Sequence, residues 1–285
     1  MVAWARPRLW CVAESRVSEL VAQVDRGLAV ERDPGAAAFF DLDNTVLRGA
    51  SIWHLAVGLW RRDFFTARDV SAMAWKQLRY VLLGENLEHV EQIRSQALGF
   101  IAGHSVAEIH AIGEEIFDEV MKDKIWPGTQ ALTRMHLDAG QDVWLVTATP
   151  VEVASVIANR LGLTGALGSV GESVDGVYTG RMVGEFLHGP AKGRAVEALA
   201  AERGYDLSRC AAYSDSANDI PMLSLVGHPC AVNPDAALRE HAKAHGWQIR
   251  DFRTGRRAAK LGLQAAGATA LAGVLAAAAA RRRRN

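Results

Sequence analysis

Three short polar clusters contain the side chains of this sequence that could do chemistry together. They are Asp41-Leu42-Asp43-Asn44-Thr45, Thr147-Ala148-Thr149 and Ser214-Asp215-Ser216-Ala217-Asn218-Asp219. Apolar runs precede them, such as AAAFFDL at 36–42 and VWLV at 143–146, and such runs are typical of buried parallel strands. Because a doubly wound sheet binds its ligands at the carboxyl ends of its strands, we expect the three clusters to meet at one sheet edge.

Four carboxylates in these clusters predict a metal site. Asp41, Asp43, Asp215 and Asp219 would repel one another at one sheet edge unless a cation or protons intervened. Oxygen ligands on irregular backbone suit Mg²⁺, which binds few carboxylates and keeps positions for water and substrate phosphate. The sequence therefore predicts a Mg²⁺ site that attracts an anionic substrate.

Lys192 and Thr147 complete a pattern that suits a phosphoryl group. Lys192 opens a predicted helix after Gly189-Pro190-Ala191, and Thr147 adds a hydroxyl beside strand-end amides. A carboxylate aimed at the phosphoryl group can attack phosphorus, and a second one two residues on can protonate the leaving group. Residues 41–45 alone would also fit a solvated turn or a nucleotide-sugar metal site, but the ordered combination with the later clusters favours catalysis.

The remaining sequence patterns predict an α/β protein whose core is a Rossmann-like, doubly wound parallel sheet. Segment 51–124 differs, because its apolar residues recur at helical spacing and predict four helices, with Ser51, Thr66 and Ser105 as N-caps. Asp175-Gly176 predicts a type I′ hairpin turn. The patterns divide the chain into an N-terminal extension at 1–35, a core at 36–50 and 125–250, an inserted α-helical cap at 51–124 and a C-terminal tail at 251–285.

Four segments of the chain resemble the motifs of one enzyme family. FFDLDNTV, WLVTATP, GPAKG and YSDSANDIPML are similar to the four motifs of the haloacid dehalogenase superfamily of phosphohydrolases. The helical insertion directly after the first motif resembles subfamily IB, the phosphoserine phosphatase-like branch. The resemblance covers roughly residues 36–250 and implies a Mg²⁺-dependent phosphomonoester hydrolase that acts through an aspartyl-phosphate intermediate.

The resemblance also implies a role for each motif residue. It implies that Asp41 is the nucleophile and Asp43 the general acid and base. Mg²⁺ would be held by Asp41, by the backbone carbonyl of Asp43 and by Asp215, with Asp219 supporting the metal from the second shell. The residues that would bind phosphate are Thr147, Lys192 and Asn218, and the helical insertion would close over a small phosphorylated substrate.

The departures from the family pattern concern the substrate. Phosphoserine phosphatases of this family usually carry a glutamate nine residues after the nucleophile, where this chain has Ala50. Arg94 is only a loose match to the cap arginine that contacts the substrate carboxylate, and Ala148-Thr149-Pro150 stands where a glycine pair is usual. We therefore expect phosphoserine to be a poor substrate. The alternatives are phosphoserine phosphatase itself, a phosphotransferase or mutase with the same intermediate, and a non-catalytic binding protein on the same fold.

The charge distribution bears on partners and location. Basic and acidic residues number 32 each, a balance that excludes a uniformly basic nucleic-acid binder. Residues 251–285, however, contain eight basic residues and one acidic one, around an uncharged stretch at 261–280 that is long enough to span a bilayer but rich in alanine. Three cysteines without paired spacing indicate a reducing compartment. We expect a cytoplasmic protein. Its tail is either a helix that associates with the inner membrane face or a soluble alanine-rich extension, and the sequence leaves this choice and the oligomeric state open.

Overall fold

The computed structural model describes residues 32–62 and 101–253. Within them, one seven-stranded sheet has the order β4-β3-β2-β1-β5-β6-β7, and its neighbouring strands are parallel except for the edge strand β4. The strands are β1 Ala37–Phe40, β2 Asp142–Pro150, β3 Gly165–Val174, β4 Val177–Val183, β5 Ala211–Ser214, β6 His228–Val232 and β7 Gln248–Arg250. The predicted doubly wound α/β core is confirmed.

The helices of the described residues connect these strands and flank the sheet. They are α1 Ser51–Trp60, α2 Val106–Ile116, α3 Pro127–Asp138, α4 Val151–Leu161, α5 Pro190–Arg203, α6 Ile220–Leu223 and α7 Ala236–Ala244. A π-helical turn at Phe117–Met121 and 3₁₀ turns at Lys122–Lys124, Leu207–Arg209 and Ala217–Asp219 link some of them. None of the helices in the described part of the chain is long and apolar enough to cross a membrane, and residues 261–280 lie outside that part.

Strand β1 lies at the centre of the sheet with helices on both sides. Ala38 and Phe40 pack into one hydrophobic cluster, while Ala37 and Phe39 pack into the cluster on the opposite face. All four residues are fully buried. Because both faces of this strand are covered, its sequence is continuously apolar instead of alternating with polar residues.

Local signals in the sequence account for several element ends, with one error. Ser105 caps α2 by accepting a hydrogen bond from the Glu108 amide at 3.0 Å, and Asp175 and Gly176 adopt positive φ in the β3–β4 turn, both as predicted. The prediction for Ser51 is wrong: Ala50 occupies the cap of α1, and Ser51 is a buried residue of the first turn. The third predicted cap, Thr66, lies outside the described residues.

The two ends of the predicted helical insertion lie side by side at the carboxyl edge of the sheet. Leu47 pairs with Ile125, the Arg48 amide donates to Lys124 O at 2.8 Å, and the Trp126 amide donates to Val46 O at 2.9 Å. Helix α1, which follows this junction, packs against α2, and α2 packs against the core helix α4. Residues 46–48 and 124–126 therefore meet directly beside the end of β1.

Gly168 in β3 lies against the backbone that follows the second polar cluster. A Cβ atom at this position would lie 2.7 Å from Thr149 O and 2.7 Å from Val151 Cα, which is closer than van der Waals contact. We therefore expect Gly168→Ala to lower the free energy of unfolding by about 1–3 kcal/mol, because β3 and the junction of β2 with α4 must move apart. Urea denaturation measures this loss.

Gly113→Ala is the matched control. It lies inside α2, where a Cβ atom would make an ordinary contact at 3.7 Å from Val153 Cγ2. Since alanine favours a helix over glycine, we expect this variant to gain about 0.5–1 kcal/mol. Equal stabilities for Gly168→Ala and the wild type would contradict the tight fit of β3 against the junction of β2 with α4.

Candidate active site

Asp41 is held in place by the backbone of the two central strands. Its amide donates to Tyr213 O at 2.9 Å, one residue before the end of β5, and the residue is 5% exposed. Beyond it the chain turns sharply: Asn44 has a φ of 60°, and the amides of Val46 and Leu47 both donate to Leu42 O. Asparagine tolerates this left-handed conformation better than most residues, so the turn is encoded locally.

Lys192 links the end of β1 to the segment after β5. Its ammonium lies 2.5 Å from Asp41 Oδ1 and 2.8 Å from Asp219 Oδ2, and all three side chains are buried. Gly189 has a φ of 54°, which glycine adopts at low cost, and Pro190 follows as the first residue of α5. Lys192 consequently lies in the first turn of α5 and reaches the carboxyl edge of the sheet.

The Asp219 carboxylate has a second partner inside the protein. Ser214 Oγ donates to Asp219 Oδ2 at 2.7 Å, to the same oxygen that accepts from Lys192. Asp219 thus holds the lysine and is itself held by the last residue of β5. Its contacts suit a residue that orients Lys192 without itself contacting the substrate.

The site contains more carboxylates than positively charged groups. Burial, together with the charges of Asp219 and Asp215, raises the pKa of Asp41 to about 7 against the opposing effect of Lys192. Burial and the charge of Asp219 likewise raise the pKa of Asp215 to about 7. Burial favours a neutral Lys192, but Asp41 and Asp219 prevail and raise its pKa. One ammonium does not neutralise these carboxylates, so a cation or protons would be stabilised among them.

Asp43 is oriented by the first turn of the insertion. Its Oδ1 accepts a hydrogen bond from the Ser51 amide at 2.7 Å, at the N-terminal end of α1. Burial raises the pKa of the Asp43 carboxyl, while the contacts with Ser51 oppose this shift. A carboxyl group with a raised pKa that is still hydrogen-bonded as an anion suits a group that gives up and takes back a proton.

Three buried hydroxyls lie in a row between β2 and α1. Thr147 Oγ1 lies 2.9 Å from Thr149 Oγ1, which in turn lies 2.6 Å from Ser51 Oγ. The Thr149 amide also donates to Thr147 Oγ1 at 3.1 Å. The sequence predicted that Thr147 binds phosphate, but Thr149 was only a departure from the usual glycine pair and Ser51 was predicted as a helix N-cap. No pattern within either segment predicts the contact, because 98 residues separate them.

The loop that carries Asp215 is fastened by a residue that the sequence analysis missed. The Asp235 amide donates to Asp215 O at 2.8 Å, and Asp235 Oδ2 accepts from the Ala217 amide at 3.0 Å. Asp235 Oδ1 accepts from the Leu238 amide at 2.7 Å, which makes Asp235 the N-cap of α7. An aspartate just before a predicted helix signals this cap but gives no hint of the link to Asp215.

The structure brings most of the predicted site residues to one edge of the sheet. Asn218 is exposed in the loop after β5, where its amide donates to Ser216 Oγ at 3.3 Å. Arg94 lies outside the described residues. Within residues 32–62 and 101–253, no group of three His, Cys, Asp or Glu side chains is arranged to hold a metal. The predicted Mg²⁺ ligands are two carboxylates and one backbone carbonyl. Asp41, which is buried, and Asp215, which is partly exposed, lack enough positive charge nearby and fit such a cation.

Comparisons with known proteins identify the family of the chain. Residues 38–224 match the family model of haloacid dehalogenase-like hydrolases. Over 254 residues the chain is 58% identical to a Mycobacterium tuberculosis protein named phosphoserine phosphatase SerB1, covering 89% of this chain and 82% of the relative. It is also 30% identical over 220 residues to a histidinol-phosphatase of Neisseria meningitidis, covering 76% of this chain and 98% of the relative.

A solved structure shares the fold. The crystal structure of a protein of unknown function from Bordetella pertussis Tohama I superposes with a TM-score of 0.68 at 33% sequence identity. The match covers 77% of this chain and 99% of that one. The matched family model spans both the end of β1 and the segment after β5, which together hold the buried acids. This chain therefore belongs to the haloacid dehalogenase-like hydrolase family.

Proposed function

We propose that this protein hydrolyses phosphate monoesters through a covalent intermediate on Asp41. The observation that carries the proposal is the buried contact of the Asp41 carboxylate with the Lys192 ammonium at 2.5 Å, beside a second acid, Asp43. One oxygen of Asp41 is oriented by the lysine, which leaves the other to attack phosphorus. Lys192 also supplies positive charge where a phosphoryl group would bind.

The reaction would take place in two steps. The Asp41 oxygen forms a bond to phosphorus while the bond from phosphorus to the ester oxygen breaks, and Asp43 gives its proton to the departing alkoxide. Water then attacks phosphorus, Asp43 takes a proton from that water, and the bond between phosphorus and Asp41 breaks. The raised pKa of Asp43 favours the protonated carboxyl that the first step needs.

The remaining residues of the site would bind the metal and the phosphoryl group. Asp41, the backbone carbonyl of Asp43, and Asp215 would hold Mg²⁺, while Asp219 would keep Lys192 in place. When bound, the ion supplies positive charge that offsets the buried acids and attracts the substrate phosphate. The groups that would bind the oxygens of phosphate are those of Thr147, Lys192 and Asn218.

Segment 51–124 would act as the cap over the substrate. Its two ends meet beside the end of β1, and its first helix contributes the amide that holds Asp43. We retain Arg94 as a candidate for contact with a substrate carboxylate, from the resemblance alone. The association of residues 251–285 with an anionic membrane surface, and a cytoplasmic location, remain predictions from the sequence.

The substrate is a small phosphorylated metabolite in this proposal, and phosphoserine is the second candidate. The name of the relative from M. tuberculosis favours phosphoserine. Ala50 argues against it, because this residue precedes α1 where the resembling enzymes carry a glutamate for the substrate amine. A phosphotransferase or mutase would share the first step and differ in the acceptor, and a non-catalytic binding protein would show neither step.

Removal of the proposed nucleophile tests the reaction. We expect Asp41→Asn to lower kcat/KM for a generic aryl phosphate by at least about 10³-fold, because an amide oxygen cannot form the intermediate. Release of free phosphate measures the activity and separates hydrolysis from transfer. Asp118→Asn is the control, since Asp118 pairs with Arg160 on the surface at 2.9 Å, and we expect it to retain wild-type activity. Equal activities of Asp41→Asn and the wild type would refute the mechanism.

Binding of Mg²⁺ should depend on pH through the buried acids. In the metal-free protein the pKa values of Asp41 and Asp215 lie near 7, above their unfolded values, so protonation of these groups stabilises the folded state below about pH 4. That stabilisation is lost as the pH rises through about 7, where Mg²⁺ can replace the protons. We expect saturating Mg²⁺ to raise Tm more at about pH 8 than at about pH 5.5.

Asp215→Asn is the matched variant for this measurement. Without one of the two metal-binding carboxylates, we expect most of the Mg²⁺-dependent increase in Tm at high pH to disappear. Thermal unfolding of the wild type and the variant, each with and without Mg²⁺, gives the comparison. An increase that is the same at both pH values, or that survives in Asp215→Asn, would contradict the proposed ligands.

The choice of substrate can be measured with a panel of phosphorylated metabolites that includes phosphoserine, histidinol phosphate and lysophospholipid phosphates. Because Ala50 offers no charge to a substrate amine, we expect kcat/KM for phosphoserine to stay below about 10⁵ M⁻¹s⁻¹ and below that of the best substrate in the panel. A higher value for phosphoserine than for every other member would establish the second candidate.

A further inference from the structure

Ser51 contacts two parts of the proposed site, the acid Asp43 and the row of buried threonine hydroxyls. Its amide donates to Asp43 Oδ1 at 2.7 Å, and its hydroxyl lies 2.6 Å from Thr149 Oγ1. Thr149 Oγ1 lies 2.9 Å from Thr147 Oγ1 in turn. Ser51 is fully buried although it belongs to the first turn of α1, so these two contacts account for a polar residue in an enclosed position.

The direction of the hydroxyl protons follows from the proposed role of Thr147. A hydroxyl has one proton, so Thr147 can donate to a phosphate oxygen only if it accepts from its other neighbours. It accepts from the Thr149 amide at 3.1 Å, and it can accept from the Thr149 hydroxyl as well. The Thr149 oxygen then needs its own donor, and the Ser51 hydroxyl lies within hydrogen-bonding distance of it.

The row of hydroxyls therefore has a consistent direction. Ser51 donates to Thr149, Thr149 donates to Thr147, and Thr147 is left with its proton for the phosphoryl group. Hydrogen bonds arranged head to tail in a buried place polarise one another, which strengthens the last donor of the row. With alanine at position 51, the buried Thr149 oxygen would lose its donor and the Thr149 hydroxyl would be free to rotate away from Thr147.

We propose that Ser51 is a positioning residue that acts on the reaction twice, through its hydroxyl on Thr147 and through its amide on Asp43. The proposal rests on the proposed function, because it assigns phosphate binding to Thr147 and proton transfer to Asp43. It also gives the first helix of the insertion a direct influence on the core, since any displacement of α1 would break both contacts together.

Two substitutions at one position separate the two contacts. Ser51→Ala removes the hydroxyl and keeps the amide. Ser51→Pro removes both, and α1 should tolerate it, because proline is favoured at the first helical position and Ala50 already has the extended conformation that precedes a proline. The two variants therefore differ in the hydrogen bond to Asp43.

Binding of inorganic phosphate and turnover report on the two contacts independently. Titration calorimetry with inorganic phosphate in Mg²⁺-containing buffer should give a Kd about tenfold weaker for Ser51→Ala, the usual effect of one lost hydrogen bond. We expect Ser51→Pro to bind phosphate with the same Kd as Ser51→Ala, because both lack the hydroxyl. Its kcat should be about tenfold lower than that of Ser51→Ala, because Asp43 also loses its donor. Unchanged phosphate binding in Ser51→Ala, or equal kcat values for the two variants, would overturn the corresponding half of the proposal.

Variants of Thr149 test whether the row acts as one unit. Thr149→Val should weaken phosphate binding as Ser51→Ala does, and the double variant should be no weaker than either single one, whereas Thr149→Ser should bind like the wild type. Losses that multiply in the double variant would show that the residues act separately and would contradict the proposal.

The control variant comes from helix α2, which lies near the other end of the predicted insertion. Ser105→Ala removes the N-cap of α2, which accepts from the Glu108 amide, and should destabilise that helix without changing phosphate binding. If Ser105→Ala weakened phosphate binding as much as Ser51→Ala, the effect would be one of general stability and the proposal would fail. A wild type that binds phosphate but hydrolyses no ester would instead refute the proposed function.

Discussion

The buried contact of Lys192 with Asp41 and Asp219 is the interaction on which the rest of the site depends. Two carboxylates and one ammonium lie where water is largely excluded, so each charge needs a partner. Removing one partner of a buried ion pair typically costs about 3–5 kcal/mol, because the other charge is left uncompensated. The lysine also holds one Asp41 oxygen, which determines the oxygen left to react.

The fold provides this contact by joining distant parts of the chain at one sheet edge. Asp41 follows β1, and its amide is bound by a carbonyl of the neighbouring strand β5. Lys192 comes from the first turn of α5 after a glycine with positive φ, and Asp219 comes from the loop after β5. Asp235 fastens that loop from the start of α7. The rigid parallel core therefore holds the acids in well-defined positions.

The helical insertion is connected to the chemistry by more than its position. Its ends pair with one another beside the end of β1, and α2 packs on the core helix α4. Its first residue in the helix, Ser51, touches Asp43 through the backbone and Thr149 through the side chain. The predicted cap is therefore also part of the wall of the site, so its position would affect Asp43, the acid to which we assign proton transfer.

The sequence by itself determined the sheet, the family resemblance and the identity of the acids, because these depend on short-range patterns: apolar runs ending in Asp41 or Ser214, and proline and glycine before Lys192. It did not reveal the roles of Ser51, Thr149 and Asp235. Ser51 resembled a helix cap because serine commonly serves as one, but the partner of its hydroxyl lies 98 residues away. Contacts between hydroxyls produce no recognisable pattern in the sequence of either segment, since a single hydrogen bond constrains only two positions. Only the tertiary structure, which pairs β1 with β2 and places α1 beside them, decided which of these polar residues meet.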